Sequence, residues 1–140
     1  MDFSFNDDQM ALREAVERFC AGEYPREQRG NAVPRQLAQS QRAAMAELGL
    51  LGLPLPAEVG GSAQGAIEVM LVAQALGHAL GDGAFVASTV MAGTVLTRMG
   101  QAAQARPWLT GLASGQLHMA VAVYEAGARY EWQHCSKIGR

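Results

Sequence analysis

The sequence predicts an all-α fold, a helical bundle of about five helices, with one β-strand near its carboxyl end. Two observations support this prediction. Apolar residues recur at helical spacing in five segments, and glycine or proline separates those segments. Only residues 118–124 form a short, glycine-bounded run with β-branched side chains, which is typical of a strand. With 140 residues, 49% of them apolar, the chain is long enough to bury one core.

The first helix is predicted over residues 7–22, where one face is apolar and the opposite face is charged. The side chains on the apolar face are Leu12, Val16 and Phe19. Asn6 or Asp7 can cap the free amides at its start, and Gly22 marks its end.

A polar loop over residues 26–32 leads to the second helix, which has Pro34 near its first turn and ends at Gly49. The next stretch, LGLLGLPLPAEVGG at 48–61, combines five leucines with four glycines and two prolines. Proline and glycine interrupt helices, while leucine favours burial. We therefore predict a buried, non-helical connector here.

Three further helices follow the connector. Residues 66–80 are apolar almost all round and predict a central helix, which the GDG run at 81–83 interrupts. The fourth helix is predicted over residues 85–99 and a shorter fifth over 101–112. Pro107 suits the first turn or a kink of this fifth helix better than a long helix interior.

The predicted strand at 118–124 has no partner strand in the sequence, so it suggests a domain junction. We predict a helical domain over residues 1–116 and the incomplete start of a β-domain over 117–140. An unpaired strand edge also favours association with another chain.

Composition excludes several classes of protein. Charged residues make up 17% and the net charge is −2, so neither a disordered chain nor a nucleic-acid-binding surface is expected. The acidic amino terminus lacks the features of a signal peptide, and no apolar run reaches the roughly 20 residues that span a bilayer. Cys20 and Cys135 are far apart and suit a reducing compartment, so we predict a cytoplasmic protein.

The usual catalytic motifs are missing from the sequence. There is no GxGxxG or GxxxxGK[ST] phosphate loop and no GxSxG nucleophile elbow. His78, His118 and His134 lack the i, i+4 spacing of a metal site, and an interhelical hydrogen bond is the simpler role for His78.

Three blocks of the sequence together resemble the amino-terminal part of the flavin-dependent acyl-CoA dehydrogenase family. They are FSFNDDQMALREAVERFC at 3–20, AELGLLGLPLPAEVGG at 46–61 and LASGQLHMAVAVYEAGARYE at 112–131. The second block is the most specific, because helix patterning does not produce a Leu-Gly-Leu-Leu-Gly-Leu run that ends in Gly-Gly. The resemblance implies the helical domain that precedes the family's β-domain and carboxy-terminal helical bundle.

The resemblance also implies a chemistry and its partners. Family members are oxidoreductases of fatty acid metabolism that bind FAD and an acyl-CoA, and a glutamate base removes the α-proton while the β-hydrogen leaves as hydride. That glutamate lies beyond the matched region, so no catalytic residue is assigned and the chain alone is expected to be inactive. A homo- or hetero-oligomer is expected.

By the resemblance, five positions contact FAD: Val121, Val123, Tyr124, Arg129 and Tyr130. Tyr124 stands where the family has a small hydroxyl residue, Arg129 where it has a glycine and Tyr130 where it has a serine. Such sequences resemble subunits of heteromeric acyl-CoA dehydrogenases that share a site with a partner. Arg129 could instead meet a phosphate of FAD or CoA.

The resemblance assigns the acyl-chain pocket to the fourth helix, at Ala84, Ala87, Ser88 and Met91. Three of these side chains are small and would leave room for a bulky or branched acyl group. Small side chains would equally allow close helix packing.

Two hypotheses remain open. The first is an amino-terminal fragment or truncated reading frame of an acyl-CoA dehydrogenase, because WQHCSKIGR at 132–140 departs from the family pattern. The second is a noncatalytic helical module or accessory subunit that binds a partner through its exposed strand and apolar connector.

Overall fold

The computed structural model describes residues 4–28, 34–81, 84–99, 102–124 and 131. Five α-helices and a π-helix account for most of this part of the chain. They are α1 (Asp7–Glu23), α2 (Arg35–Glu47), α3 (Ala66–His78), the π-helix (Phe85–Ala92), α4 (Gly93–Met99) and α5 (Ala102–Ala113). Short 3-10 turns occur at Arg26–Gln28, Leu50–Gly52 and Ala57–Val59. The predicted all-α fold is confirmed.

Helix α1 begins with a capping box, as the sequence at Asn6 suggested. The Asn6 side chain accepts a hydrogen bond from the Gln9 amide at 2.8 Å, and the Gln9 side chain accepts one from the Asn6 amide at 3.1 Å. Val16 and Cys20 are buried on its inner face. Helix α1 packs against α3. A hydrogen bond from Gln9 Nε2 on α1 to Glu68 Oε1 on α3, at 2.8 Å, also joins the two helices.

Two clusters of buried side chains form the core. The first includes Val16, Cys20, Tyr24, Met45, Leu50, Leu51, Leu53, Val72, Ala75, Leu76, Ala79 and Phe85. The second includes Leu55, Val59, Ala105, Leu109, Leu112 and Ala113. The connector contributes leucines to both clusters, which explains why a loop carries so much apolar surface.

The connector folds back on itself through backbone hydrogen bonds. The amides of Ser62, Ala63 and Gln64 donate to the carbonyls of Gly52, Leu55 and Leu53 at 3.0, 2.8 and 2.8 Å. These bonds satisfy backbone groups that burial of the leucines would otherwise leave unpaired. The predicted buried connector is confirmed, although it contains two 3-10 turns.

The fourth predicted helix is one continuous helical segment, but its first half is a π-helix. The apolar pattern did not distinguish the two forms, because six of the eight residues from Phe85 to Ala92 are apolar and show no clear period. The buried residues of the π-helix are Phe85, Ser88, Thr89 and Ala92. Pro107 lies inside α5, at the sixth of its twelve residues, and its side chain is exposed. One backbone hydrogen bond is therefore lost within the helix.

The predicted strand at 118–124 is not confirmed. Residues 117–124 have no regular secondary structure, and the described ranges contain no strand with which they could pair. Met119 and Val121 are half-buried while their neighbours are exposed, so the run keeps the alternation of an extended chain. The domain boundary near residue 116 stays a prediction. Within the described ranges, no helix is long and apolar enough to cross a membrane.

Candidate functional site

The four residues predicted to line an acyl pocket lie on the π-helix or directly before it, but they do not share one environment. Ser88 is buried in the core face, with 3% of its surface exposed, and Ala84 is half-buried. Ala87 is exposed, and Met91 is 46% exposed. The structure therefore brings Ala84 and Ser88 together on the inner side and leaves Ala87 and Met91 on the outer side.

The inner pair lines a cavity too small for an acyl chain. Its volume is about 10 Å³, and Arg42, Phe85 and His118 also line it. A cavity of this size holds at most about one water molecule. The Nε of Arg42 is buried and has no hydrogen-bond partner. An acyl chain could reach this side only after the helices had separated.

The outer pair lies on an open apolar surface. Val86 and Val95, on the same helical segment, are 46% and 39% exposed. Exposed apolar side chains grouped on one element are typical of a surface that another group covers. We call this side of the fourth helical segment, with Val86, Ala87, Met91 and Val95, the outer face.

The described residues of the predicted flavin contacts form an open strip. Val121 is half-buried, Val123 is 40% exposed and Tyr124 is 68% exposed. Arg129 and Tyr130 lie outside the described residues. The strip has no enclosing walls in the described part of the chain, so these residues alone do not enclose a ligand.

Two hydrogen bonds connect the residues just before this strip to the helices. The amide of Met119 donates to Ser88 Oγ at 3.0 Å, and the amide of Leu117 donates to the Gly111 carbonyl at 2.9 Å. Sequence reasoning missed Gly111 and Arg42 as neighbours of the site. A glycine inside an apolar helix was the available signal for Gly111, since it often marks a close approach. No sequence signal pointed to Arg42.

Larger grooves lie away from these residues, and two of them exceed 300 Å³. One, of about 530 Å³, runs between α1 and α3 beside His78, Cys20 and the exposed Arg13–Glu17 ion pair. The other, of about 340 Å³, lies between the Ala57–Val59 turn, α4 and α5, with Glu58 and Arg106 among its lining residues. The described residues contain no group of three or more His, Cys, Asp or Glu side chains that could hold a metal ion.

Comparison with known proteins gives a consistent result. The sequence model of the acyl-CoA dehydrogenase N-terminal domain matches residues 6–116. The chain is 34% identical over 132 residues to acyl-CoA dehydrogenase FadE12 of Mycobacterium tuberculosis, which is 91% of this chain and 34% of that protein. It is 30% identical over 117 residues to the probable acyl-CoA dehydrogenase YngJ of Bacillus subtilis, which is 82% of this chain and 31% of that protein.

A solved structure has a similar fold. A chain of the ChsE4-ChsE5 complex from Mycobacterium tuberculosis superimposes with a TM-score of 0.74 at 25% sequence identity. The match covers 91% of this chain and 33% of that chain. The chain thus spans about a third of the length of the curated relatives it matches.

Proposed function

Because the chain belongs to the acyl-CoA dehydrogenase family, we propose that it is the amino-terminal helical part of a flavin-dependent dehydrogenase of acyl-CoA thioesters. The assembled enzyme introduces a double bond between the α and β carbons of the acyl group. This chain contributes one wall of the acyl site and one edge of the flavin site. The observation that supports this role is the outer face, which leaves Ala87 and Met91 exposed beside Val86.

The outer face supplies apolar contacts for the acyl chain. Met91 is unbranched and flexible, so it can adapt to acyl groups of different shape. Ala87 is small and leaves space above the helix. Ala84 and Ser88, which line the small inner cavity, support the wall from behind.

The strip at 120–124 supplies the flavin edge. FAD, when bound, accepts the hydride that leaves the β carbon. The chain's own residues position it: Val123 is 40% exposed and lets a planar ring approach, and Tyr124 offers an exposed ring and a hydroxyl. Since the strip is open, other parts of the enzyme enclose the rest of the cofactor.

No residue of the chain is assigned as the catalytic base, so the chain alone is expected not to oxidise thioesters. A second possibility is that a different polypeptide completes the site. The likeness to a chain in a complex of two proteins supports this version. Both versions assign the same role to the outer face and the strip.

A chimera tests the proposed function. This chain replaces the matching 132 residues of FadE12, and the purified chimera is assayed for flavin absorbance and for acyl-CoA oxidation with an artificial electron acceptor. We expect a yellow protein that oxidises acyl-CoA thioesters. FadE12 without its amino-terminal third is the control and should be colourless.

The chimera can also give results that contradict or refine the proposed function. A chimera that melts cooperatively but binds no flavin and oxidises no acyl-CoA would contradict the assigned role. Activity that appears only when a second homologous dehydrogenase is co-expressed would favour the version with a separate partner.

A further inference from the structure

A part-buried hydrogen bond joins the π-helix to the segment that follows α5. The amide of Met119 donates to Ser88 Oγ at 3.0 Å, across 31 residues of sequence. Ser88 is 3% exposed and Met119 is half-buried, so water has little access to the bond. Breaking it would leave a partly buried amide without its acceptor, which makes it costly to lose.

Two other attachments hold the chain just before Met119. Gly115, with φ of 72°, turns the chain after α5, and a Cβ there would lie 3.2 Å from the Cβ of Ala46. The Leu117 side chain packs directly on Gly111 and occupies the space of a side chain there, since a Cβ on Gly111 would lie 2.6 Å from Leu117 Cδ1. Leu117 and Met119, beyond the turn at Gly115, are two residues apart, so their attachments hold one side of the segment.

Met119 is the last of these attachments. Among the described residues, no hydrogen bond holds 120–124, and exposure rises to 68% at Tyr124. The direction in which residues 120–124 leave the helical bundle therefore depends on Met119, which is held by the bond to Ser88 and by packing of its side chain against the second core cluster.

Ser88 belongs to the same helical segment as the outer face. It follows Ala87 directly and precedes Met91 by three residues. Its buried hydroxyl accepts a bond from Met119, which is a different function from contact with an acyl chain. A displacement of this helical segment therefore also shifts Met119, through its bond to Ser88, and with it the strip at 120–124.

We propose that Ser88 is a positioning residue that fixes Val121, Val123 and Tyr124 at a set distance from the acyl wall at Ala87 and Met91. This inference rests on the proposed function. Hydride transfer requires the reacting atoms to be about 3–3.5 Å apart, so a small change in this distance has a large effect on rate. Ser88 acts through the Met119 amide and touches neither the flavin nor the acyl group.

Hydrogen exchange of the isolated full chain tests the attachment without any cofactor. In Ser88→Ala the Met119 amide should exchange about tenfold faster, with the increase confined to 117–124. Ser88→Thr keeps the hydroxyl and should keep the protection. Thr97→Val is the matched control, because Thr97 donates only to Gly93 O at 2.8 Å within its own helix. Unchanged exchange at Met119 in Ser88→Ala, or faster exchange throughout the chain, overturns the proposal.

The chimera with FadE12 tests the positioning role. Ser88→Ala should weaken flavin binding and lower kcat about tenfold or more while KM for acyl-CoA stays within about twofold. Met119→Pro removes the donor without touching Ser88 and should give the same pattern. A raised KM with unchanged flavin affinity makes Ser88 an acyl contact and overturns the proposal. If no chimera binds flavin, the positioning role falls with the proposed function, even where the exchange result shows the attachment.

Discussion

At the scale of single residues, Gly61 and Gly22 differ in the space that their surroundings leave for a side chain. Gly61 lies against the connector backbone, because a Cβ there would collide with the carbonyl of Leu55 and lie 2.7 Å from Gly52 O. Gly22, by contrast, lies inside α1 with no atom within 4 Å of an added Cβ. The same substitution should therefore have opposite effects at the two positions.

Gly61→Ala should lower the free energy of unfolding by at least about 3 kcal/mol, because neighbouring backbone must move to admit the methyl group. Gly22→Ala should raise it by about 0.5–1 kcal/mol, because alanine loses less conformational entropy in a helix. Urea denaturation of the two variants and the parent chain measures both changes. A stable Gly61→Ala variant would show that the connector is looser than the structure indicates.

The sequence predicted several individual residues well. Asn6 was one of two expected caps of α1 and is the one used. The glycines of the connector were expected to interrupt the helices, and Gly60 there has φ of 87°. The placement of Ser88 in the core was not predictable, because an alanine-rich, serine-containing helix has no polar face to orient it. Which of the four acyl-pocket candidates are buried depends on contacts with α2 and with 117–119, far away in sequence.

At the scale of elements, a hydrogen bond from Gln9 on α1 to Glu68 on α3 lowers the pKa of the Glu68 carboxyl. The Gln9 side chain lowers the pKa of Glu68 below its ordinary value of 4.5, and backbone amides at Glu68 and Gly65 act in the same direction. A carboxylate whose pKa is lowered on folding stabilises the folded state above its unfolded pKa. This contribution disappears as the pH falls through the folded pKa, below 4.5.

Gln9→Ala should raise the pKa of Glu68 toward 4.5, because it removes the largest of the causes that lower it. The measurement is a carbon-13 NMR titration of the Glu68 carboxyl. Asn6→Ala is the control, since it removes the helix cap but leaves the bond from Gln9 Nε2 to Glu68 in place. A Glu68 pKa that moves equally in both variants would mean that helix fraying, and not the hydrogen bond, sets it.

Element types were more predictable than their details. Apolar spacing located all five helical segments, because each buries one face or most of its surface. The π-helix was not predictable, because six of its eight residues are apolar and the sequence there shows no clear period. The strand was predicted from residue types alone, and strand pairing depends on a partner that the described chain does not contain.

At the scale of the whole molecule, two groups of exposed apolar side chains stand out in the described part of the chain. One is the outer face, with Val86, Met91 and Val95, and the other lies beside the Gln9–Glu68 bond, with Met10, Ile67 and Met70 exposed by 50%, 48% and 47%. Surfaces of this kind usually contact another protein part. Relatives about three times as long could cover both with the rest of their own chains.

The isolated chain should therefore self-associate at high concentration. Size-exclusion chromatography with light scattering should show a dimer or larger species that dissociates on dilution. The double variant Val86→Glu with Met91→Glu should be more monomeric, because charge opposes burial of the outer face. Leu48→Glu, at a single exposed leucine on the end of α2, should behave like the parent. A parent chain that remains monomeric at all concentrations would contradict this prediction.

The connector has a consequence for how the protein unfolds. Leu50, Leu51 and Leu53 belong to one core cluster and Leu55 and Val59 to the other, and backbone bonds from 62–64 close the loop between them. Neither cluster can come apart without pulling these few residues out of the other. The connector thus makes the two halves a single cooperative unit, whose melting is expected in one step with no half-folded state.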